Sequence, residues 1–476
     1  MRGSSLALSV FAVTFCAAAL VACAPKTLND FRVSRKVETV VNQPVPPSSA
    51  TVASVPETAS APKLLPKAPG SQSVARLPST EPAVPLLNSD KLSDIDPGRV
   101  RVALLLPLSG QSSALGRAML LAAELALFEV GNDTFDLLPF DTLGTQEGAA
   151  IAAERAIRKH VSLFLGPLLA PAAAAVAPIA RRAGINVLSF SNSSQIAGQG
   201  MFILGFVPRQ QVDTIVEYAV GREHTRFAVL APSNPYGSAV VEALNEAAAV
   251  HSVFITKVAR YDPREVDLSE NIKALAEYDD RRAALLSQRE ELEARDDEIS
   301  RQALRRLERL DTIGDVDFDA ILLPAWGQSL RTLASLLSFY DVDQPSVRLL
   351  GLRAWDEFHD LGIEPALVGA WFSAPPLAER AKFEKWYAET YGKMPPRLAS
   401  IAYDATALAA VLASRGQVPD FSLDTLTNKD GFLGLDGVFR LRPDGSVQRA
   451  YAIIEVRRDG FRTLRSAPQS FEKLTN

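Results

Sequence analysis

The chain has 476 residues but only two cysteines, Cys16 and Cys23, and four histidines, His160, His224, His251 and His359. The histidines are scattered and none stands at metal-ligand spacing from another, so no zinc site is expected. A G-x-S-x-G elbow, a Ser-x-x-Lys box and a Walker loop are all missing. The acidic pairs Asp279-Asp280 and Asp296-Asp297 fall in a charged segment, whereas a glycosidase needs two carboxylates facing each other across a cleft. These absences argue against an enzyme, and nothing calls for a cofactor. An excess of basic charge is lacking too: 50 Lys and Arg stand against 55 Asp and Glu, a net charge of −5. With no aromatic-rich basic patch either, nucleic acid is excluded as a partner.

The N-terminal apolar run, Leu6 to Ala22, falls short of the ~20 residues of a membrane-spanning helix. It follows Arg2 and gives way to a polar, proline-containing stretch at Ala24, the layout of a secretory signal peptide over residues 1–22. Leu20-Val21-Ala22-Cys23 resembles the lipobox of bacterial lipoproteins, which implies that Cys23 is diacylated and becomes the mature N-terminus. Cys16 is then removed, and the mature chain has one capped thiol and no disulfide. Two or three acyl chains make a stable anchor where one does not. By the same resemblance, Ala24 rather than an aspartate points to the outer membrane.

Residues 23–96 form the lipidated end and a tether. Of the 73 residues from Ala24 to Asp96, eleven are proline, one is aromatic (Phe31) and one is glycine. Such a stretch buries too little apolar surface to offset its ordering entropy and is expected to be an extended, disordered spacer. At ~3.1 Å per residue it has a reach well over ~100 Å.

From Pro97 to Asn476 the composition is globular and long enough for two lobes. Apolar runs alternate with amphipathic segments: "RVALLLPLSG" reads as a buried strand and loop, "ALGRAMLLAAELALFEV" as a helix, "FDLLPFDT" as a strand, "GAAIAAERAIRKH" as a helix. "VSLFLGP", "APAAAAVAPIARRAG" and "INVLSFS" continue the alternation, and after Pro208 the rhythm restarts with "QVDTIVEYAVG" and "FAVLAPSNPYG". This pattern predicts an α/β fold of two lobes, each a doubly wound, mainly parallel sheet. Ligands of such sheets sit beyond the carboxyl ends of the strands, which directs attention to "PLSG", "GPLLAP", "SFSNSS", "SNPYG" and "PAWGQS". "YDAT" at 403–406 reads as a helix start capped by Asp404, and "FLGLDGVFRLRPDGSV" as two strands around a Pro-Asp-Gly turn.

A charged insertion interrupts the second lobe. Residues 264–310 contain ten basic and thirteen acidic side chains and neither Pro nor Gly. They are expected to be helical, with Asp262-Pro263 as the start signal. Leu285, Leu292 and Ile299 recur every seven residues. The segment is either a solvated helix pair on a lobe surface or a projecting arm that docks a partner.

"LLLPLSGQSSALGRAMLLAAELAL", "LFLGPLLAPAAAAVAPIARRAGINVLSFSNSS", "VLAPSNPYGSAVVEALNEA" and "YAETYGKMPPRLASIAYDATALAAVLA" together resemble type I periplasmic binding proteins of the branched-chain amino-acid receptor class. The resemblance implies a Venus-flytrap architecture with a ligand cleft between the lobes. Candidate ligand contacts are Ser109, Ser191, Asn192, Ser193, Tyr236, Trp326 and Gln328. Each has a plain structural reading beside the functional one: turn support for Ser109, packing next to Gly237 for Tyr236, a cleft wall for Trp326. The receptors' first binding loop carries a serine that is missing from Gly166-Pro167-Leu168-Leu169-Ala170, and the second lacks their Ala-x-Thr contact.

Lipobox, tether, flytrap, altered pocket and charged insertion together resemble the penicillin-binding protein activator lipoproteins. That implies an outer-membrane lipoprotein whose partner is a bifunctional peptidoglycan synthase. The helical repeats of better-known members have no counterpart here. The alternative is a lipid-anchored solute receptor for an amino-acid or amide ABC importer.

Overall fold

The computed structural model describes residues 99–295, 297–414 and 419–471. Signal peptide, Cys23 and tether lie outside these residues. In the first lobe, β1 (Val100–Leu106), β2 (Phe135–Asp141), β3 (Leu163–Leu165), β4 (Asn186–Ser189) and β5 (Met201–Ile203) form a parallel sheet in the order β2-β1-β3-β4-β5. All seven residues of β1 are buried, because helices cover both faces of a parallel sheet. The covering helices are α1 (Ser113–Val130), α2 (Gln146–Arg158) and α3 (Ala170–Ala183).

The chain crosses to the second lobe at residues 204–207. There α4 (Pro208–Val220), β6 (Arg226–Pro232), α5 (Pro235–His251), β7 (Phe254–Tyr261), α6 (Ser269–Ala276), α7 (Tyr278–Glu293), α8 (Glu298–Leu307), β8 (Ala320–Leu322), α9 (Gly327–Phe339), β9 (Arg348–Gly351) and β10 (Trp371–Ala374) follow in sequence. A second crossing returns α10 (Leu377–Tyr391), α11 (Ala399–Ala413), α12 (Leu423–Leu426) and a small antiparallel sheet to the first lobe. That sheet is β11 (Phe432–Gly434), β12 (Gly437–Leu441) and β13 (Val447–Arg449). After a third crossing, β14 (Ala452–Arg457) and β15 (Gly460–Arg465) complete the second sheet, ordered β15-β14-β10-β9-β8-β6-β7. Only the pairings of β14 and β15 in that sheet are antiparallel.

The two lobes turn from strand into helix in the same way. A Cβ on Gly116 would sit 2.1 Å from the Pro107 carbonyl oxygen, and one on Gly237 would sit 2.0 Å from that of Pro232. Glycine lets each helix rest directly on the end of its strand, at the rim of the cleft. Asn234 caps α5 by accepting a 2.9 Å bond from the Gly237 amide. Asn234→Ala should therefore cost about 1 kcal/mol, measurable by urea unfolding.

Three sequence expectations change, and the solvated helix pair is found. Tyr403–Thr406 lie inside α11 rather than at its start, and Asp404 is buried there. The C-terminal apolar stretch folds as three short strands, because Leu435-Asp436 makes a turn of its own. The insertion begins its helices at Ser269, and α6 buries Ile272, Leu275 and Ala276 in the core of the second lobe instead of facing water. Of the seven-residue stripe, Leu285 is 2% exposed while Ile299 is 82% exposed, so α7 and α8 form a solvated hairpin and no coiled-coil seam. Its inner side is tied by Arg289, which donates to the carbonyls of Leu307 and Leu310.

Candidate functional site: the hinge and the interlobe cleft

The loops at the carboxyl ends of the strands face the space between the lobes. In the first lobe, Ser109 is half-buried and donates its amide to Asp141 Oδ1 at 3.2 Å, beside the amides of Leu108 and Leu143. Burial disfavours the Asp141 carboxylate, but these bonds and one from the Ser109 hydroxyl hold it below the usual range. Ser191 is buried. Its hydroxyl accepts from the Ser193 amide at 3.1 Å, and its own amide donates to Ser189 Oγ, which in turn donates to the Pro167 carbonyl. The serines thus tie two first-lobe loops together. Asn192 is exposed and Ser193 half-buried.

From the second lobe, Tyr236 and Trp326 meet edge to face, ring centroids 5.8 Å apart. Trp326 is 47% exposed, and burial pushes the Tyr236 hydroxyl up to about 12. Gln328 is exposed on the first turn of α9. Of the seven candidates, the structure joins Tyr236 to Trp326 and Ser191 to Ser193. Ser109 and Gln328 make no contact with these pairs among the described bonds and ring contacts.

Sequence reading missed the polar centre of the hinge. Asp356, in the short helical segment Arg353–Glu357 of the second lobe, is fully buried. Two arginines of the first lobe converge on it: Arg380 of α10, with Nη1 2.9 Å from Oδ2, and Arg397, whose Nε donates to both carboxylate oxygens at 3.2 Å. The other end of Arg397 donates through Nη2 to Asp436 Oδ1 at 2.7 Å and through Nη1 to Ser400 Oγ at 2.9 Å. The Ser400 hydroxyl passes its proton side to Asp436 Oδ2, 2.7 Å away. One planar guanidinium therefore bridges the lobes with every part of its fork used.

Phe206, in the first crossing, lies beneath three guanidinium groups. Arg353 is 4.7 Å from its ring centroid, Arg449 4.9 Å and Arg397 5.0 Å. Arg353 also pairs with Glu357 at 3.3 Å, and Arg449 Nη2 donates to the Leu204 carbonyl at 2.8 Å. Gln210 of α4 adds a further link between the lobes. Its carbonyl accepts from the Arg449 amide at 2.9 Å and its amide donates to the Val447 carbonyl.

Electrostatics follow from this packing. Burial alone would favour neutral Arg397, yet Asp436 and Asp356 raise its pKa above the usual value. Burial likewise opposes ionised Asp436, but Arg397 holds it low. Asp404, also buried, is pushed up to about 7 by burial and by the charge of Asp436, although Arg449 and the Leu435 amide pull the other way. Arg353, Arg380 and Arg397 each have a carboxylate partner, whereas buried Arg449 has none within 4 Å among the described ion pairs, and its Nε and Nη1 make no hydrogen bond.

A family model described as periplasmic binding protein matches residues 99–461. The chain belongs to that family, a family of two-lobed periplasmic proteins with mainly parallel sheets. An uncharacterized protein of Rickettsia prowazekii is 22% identical over 358 residues, covering 75% of this chain and 86% of that protein. Among solved structures, a putative branched-chain amino acid ABC transporter protein from Rhodospirillum rubrum is 18% identical with a TM-score of 0.60, covering 77% of this chain and 100% of the other. The branched-chain amino acid transporter substrate-binding protein LivJ from Streptococcus pneumoniae, in complex with isoleucine, is 17% identical with a TM-score of 0.52, covering 78% and 100%. These likenesses agree with the Venus-flytrap fold.

Proposed function

We propose that this protein is a non-enzymatic lipoprotein, anchored through Cys23 in the outer membrane, whose flytrap domain binds and activates a bifunctional peptidoglycan synthase. The observation that carries this reading is that three of the four guanidinium groups at the hinge are already taken. Arg353, Arg380 and Arg397 are each paired with a carboxylate of the chain itself. The loop at 166–170 offers no hydroxyl to a ligand. A free amino acid entering such a cleft would leave charge unpaired, at a cost of several kcal/mol. The solvated α7–α8 hairpin projects charge that a solute receptor does not need. A pull-down with the purified synthase tests the reading: retention by the chain supports it, and no retention at micromolar concentration contradicts it.

A second reading, a solute receptor for an amino-acid or amide ABC importer, is favoured by the Tyr236–Trp326 pair, which gives the cleft an aromatic wall with one half-exposed face. It predicts thermal stabilisation following RT ln(1 + [L]/Kd) when amino acids and amides are added. Mass spectrometry of the mature N-terminal peptide tests the anchor: acyl chains on Cys23 are expected, and an unmodified thiol refutes it.

A further inference from the structure

We propose that the two lobes are locked at one angle by Arg397 and Gln210, so that the cleft is held in a single state instead of opening and closing as a clamshell. This inference concerns the hinge alone and stands whether or not a synthase is the partner.

First, Arg397 is 8% exposed and its fork is shared between Asp356 of the second lobe and Asp436 of the first. A rotation that keeps one carboxylate in reach withdraws the guanidinium from the other, and no solvent is at hand to replace the lost bonds. Asp356 has a second first-lobe partner in Arg380, so moving it disturbs two ion pairs at once.

Second, Gln210 ties α4 to β13 at a separate place. Its side-chain amide bonds the Val447 carbonyl and the Arg449 amide, the same pair of groups that a neighbouring parallel strand would use at Gln448. A second-lobe side chain thus acts as one residue of a strand added to the small first-lobe sheet. Two ties on different elements, Arg397 between α10 and α11 and Gln210 on α4, restrain rotation about more than one axis.

Third, the first crossing is itself pinned. Phe206 lies against Arg353 of the second lobe and against Arg397 and Arg449 of the first, all within 5.0 Å of its ring centroid. Hinges are segments that absorb changes of φ and ψ, and a residue held from both sides is poorly placed to do so.

Pulsed electron spin resonance on the full chain tests the proposal. Spin labels on genetically encoded unnatural residues at Glu154 on α2 and Ser335 on α9, both exposed, report the distance between lobes without using the cysteines. The wild type is expected to give one narrow distance distribution. Arg397→Lys, which keeps the charge but cannot hold two carboxylates in a planar fork, should broaden it or add a second distance differing by more than about 2 Å. Gln210→Ala, a milder change, should broaden it as well and decides the matter if the lysine variant does not fold. A wild-type distribution with two populations overturns the proposal. So does a narrow distribution that persists in Gln210→Ala and in any folded Arg397→Lys.

Discussion

Arg397→Ala is expected to destabilise the protein by about 3–5 kcal/mol, the usual cost of stripping one partner from a buried ion pair. The magnitude comes from what remains rather than from what is lost. Asp356 and Asp436 are both fully buried, and each would lose the guanidinium that faces it. Arg380 stays beside Asp356, so Asp436 is the carboxylate left most exposed to the loss. Chemical unfolding of the variant, set against Arg397→Met combined with Asp356→Asn and Asp436→Asn, separates the two contributions. Removing all three charges should recover much of the stability, since a buried ionic cluster is not intrinsically better than neutral groups of similar volume. A single variant as stable as wild type would show that the bridge is solvated or unformed.

Asp404→Asn should change how stability depends on pH. The folded protein raises the Asp404 carboxyl from an ordinary 3.8 to about 7, so the native state binds this proton more tightly than the unfolded chain does. The favourable contribution of the protonated acid is complete below the unfolded value and is lost as pH rises from about 4 through about 7. Asparagine keeps an oxygen for the Leu435 amide, which now donates to Asp404 at 2.7 Å, and carries no charge at any pH. The variant should therefore gain on the wild type as pH rises from 5 to 8, by an amount on the order of 2–4 kcal/mol. Asp436 has the opposite sign: its pKa is lowered, so its contribution is present above the ordinary carboxylate range and lost in acid. Because the two carboxylates interact, the pair titrates together, and the comparison needs both single variants. A wild-type-minus-variant difference that is flat between pH 5 and 8 would contradict the assignment to Asp404.

The fold was legible because its main signals are local. β1 announces itself as "VRVALLL", a strand buried on both faces, and the strand-helix alternation that follows can produce few architectures besides a wound parallel sheet. The hinge was not legible, for a physical reason. Asp356, Arg397 and Asp436 are distant in sequence, and each taken alone looks like an ordinary surface charge near a turn or Pro-rich loop. Asp404 did carry a signal: an acid in the interior of the apolar run "LASIAYDATALAAVLA". Reading it as a helix cap supplied a local partner and hid the long-range one, the Leu435 amide thirty-one residues away. The cleft candidates came out unevenly because loop position predicts which residues stand near the cleft, not which side chains reach into it. Tyr236 and Trp326 converge, whereas the Ser191 hydroxyl is occupied by a backbone amide of its own loop.

The most direct test of the account is the rate of glycan polymerisation by a purified bifunctional peptidoglycan synthase, measured with and without this protein. The rate should rise in proportion to occupancy of the complex, and free amino acids should leave that rise unchanged. An unaltered rate at saturating protein, together with strong thermal stabilisation of the chain by an amino acid or amide, would contradict the account and favour a solute receptor.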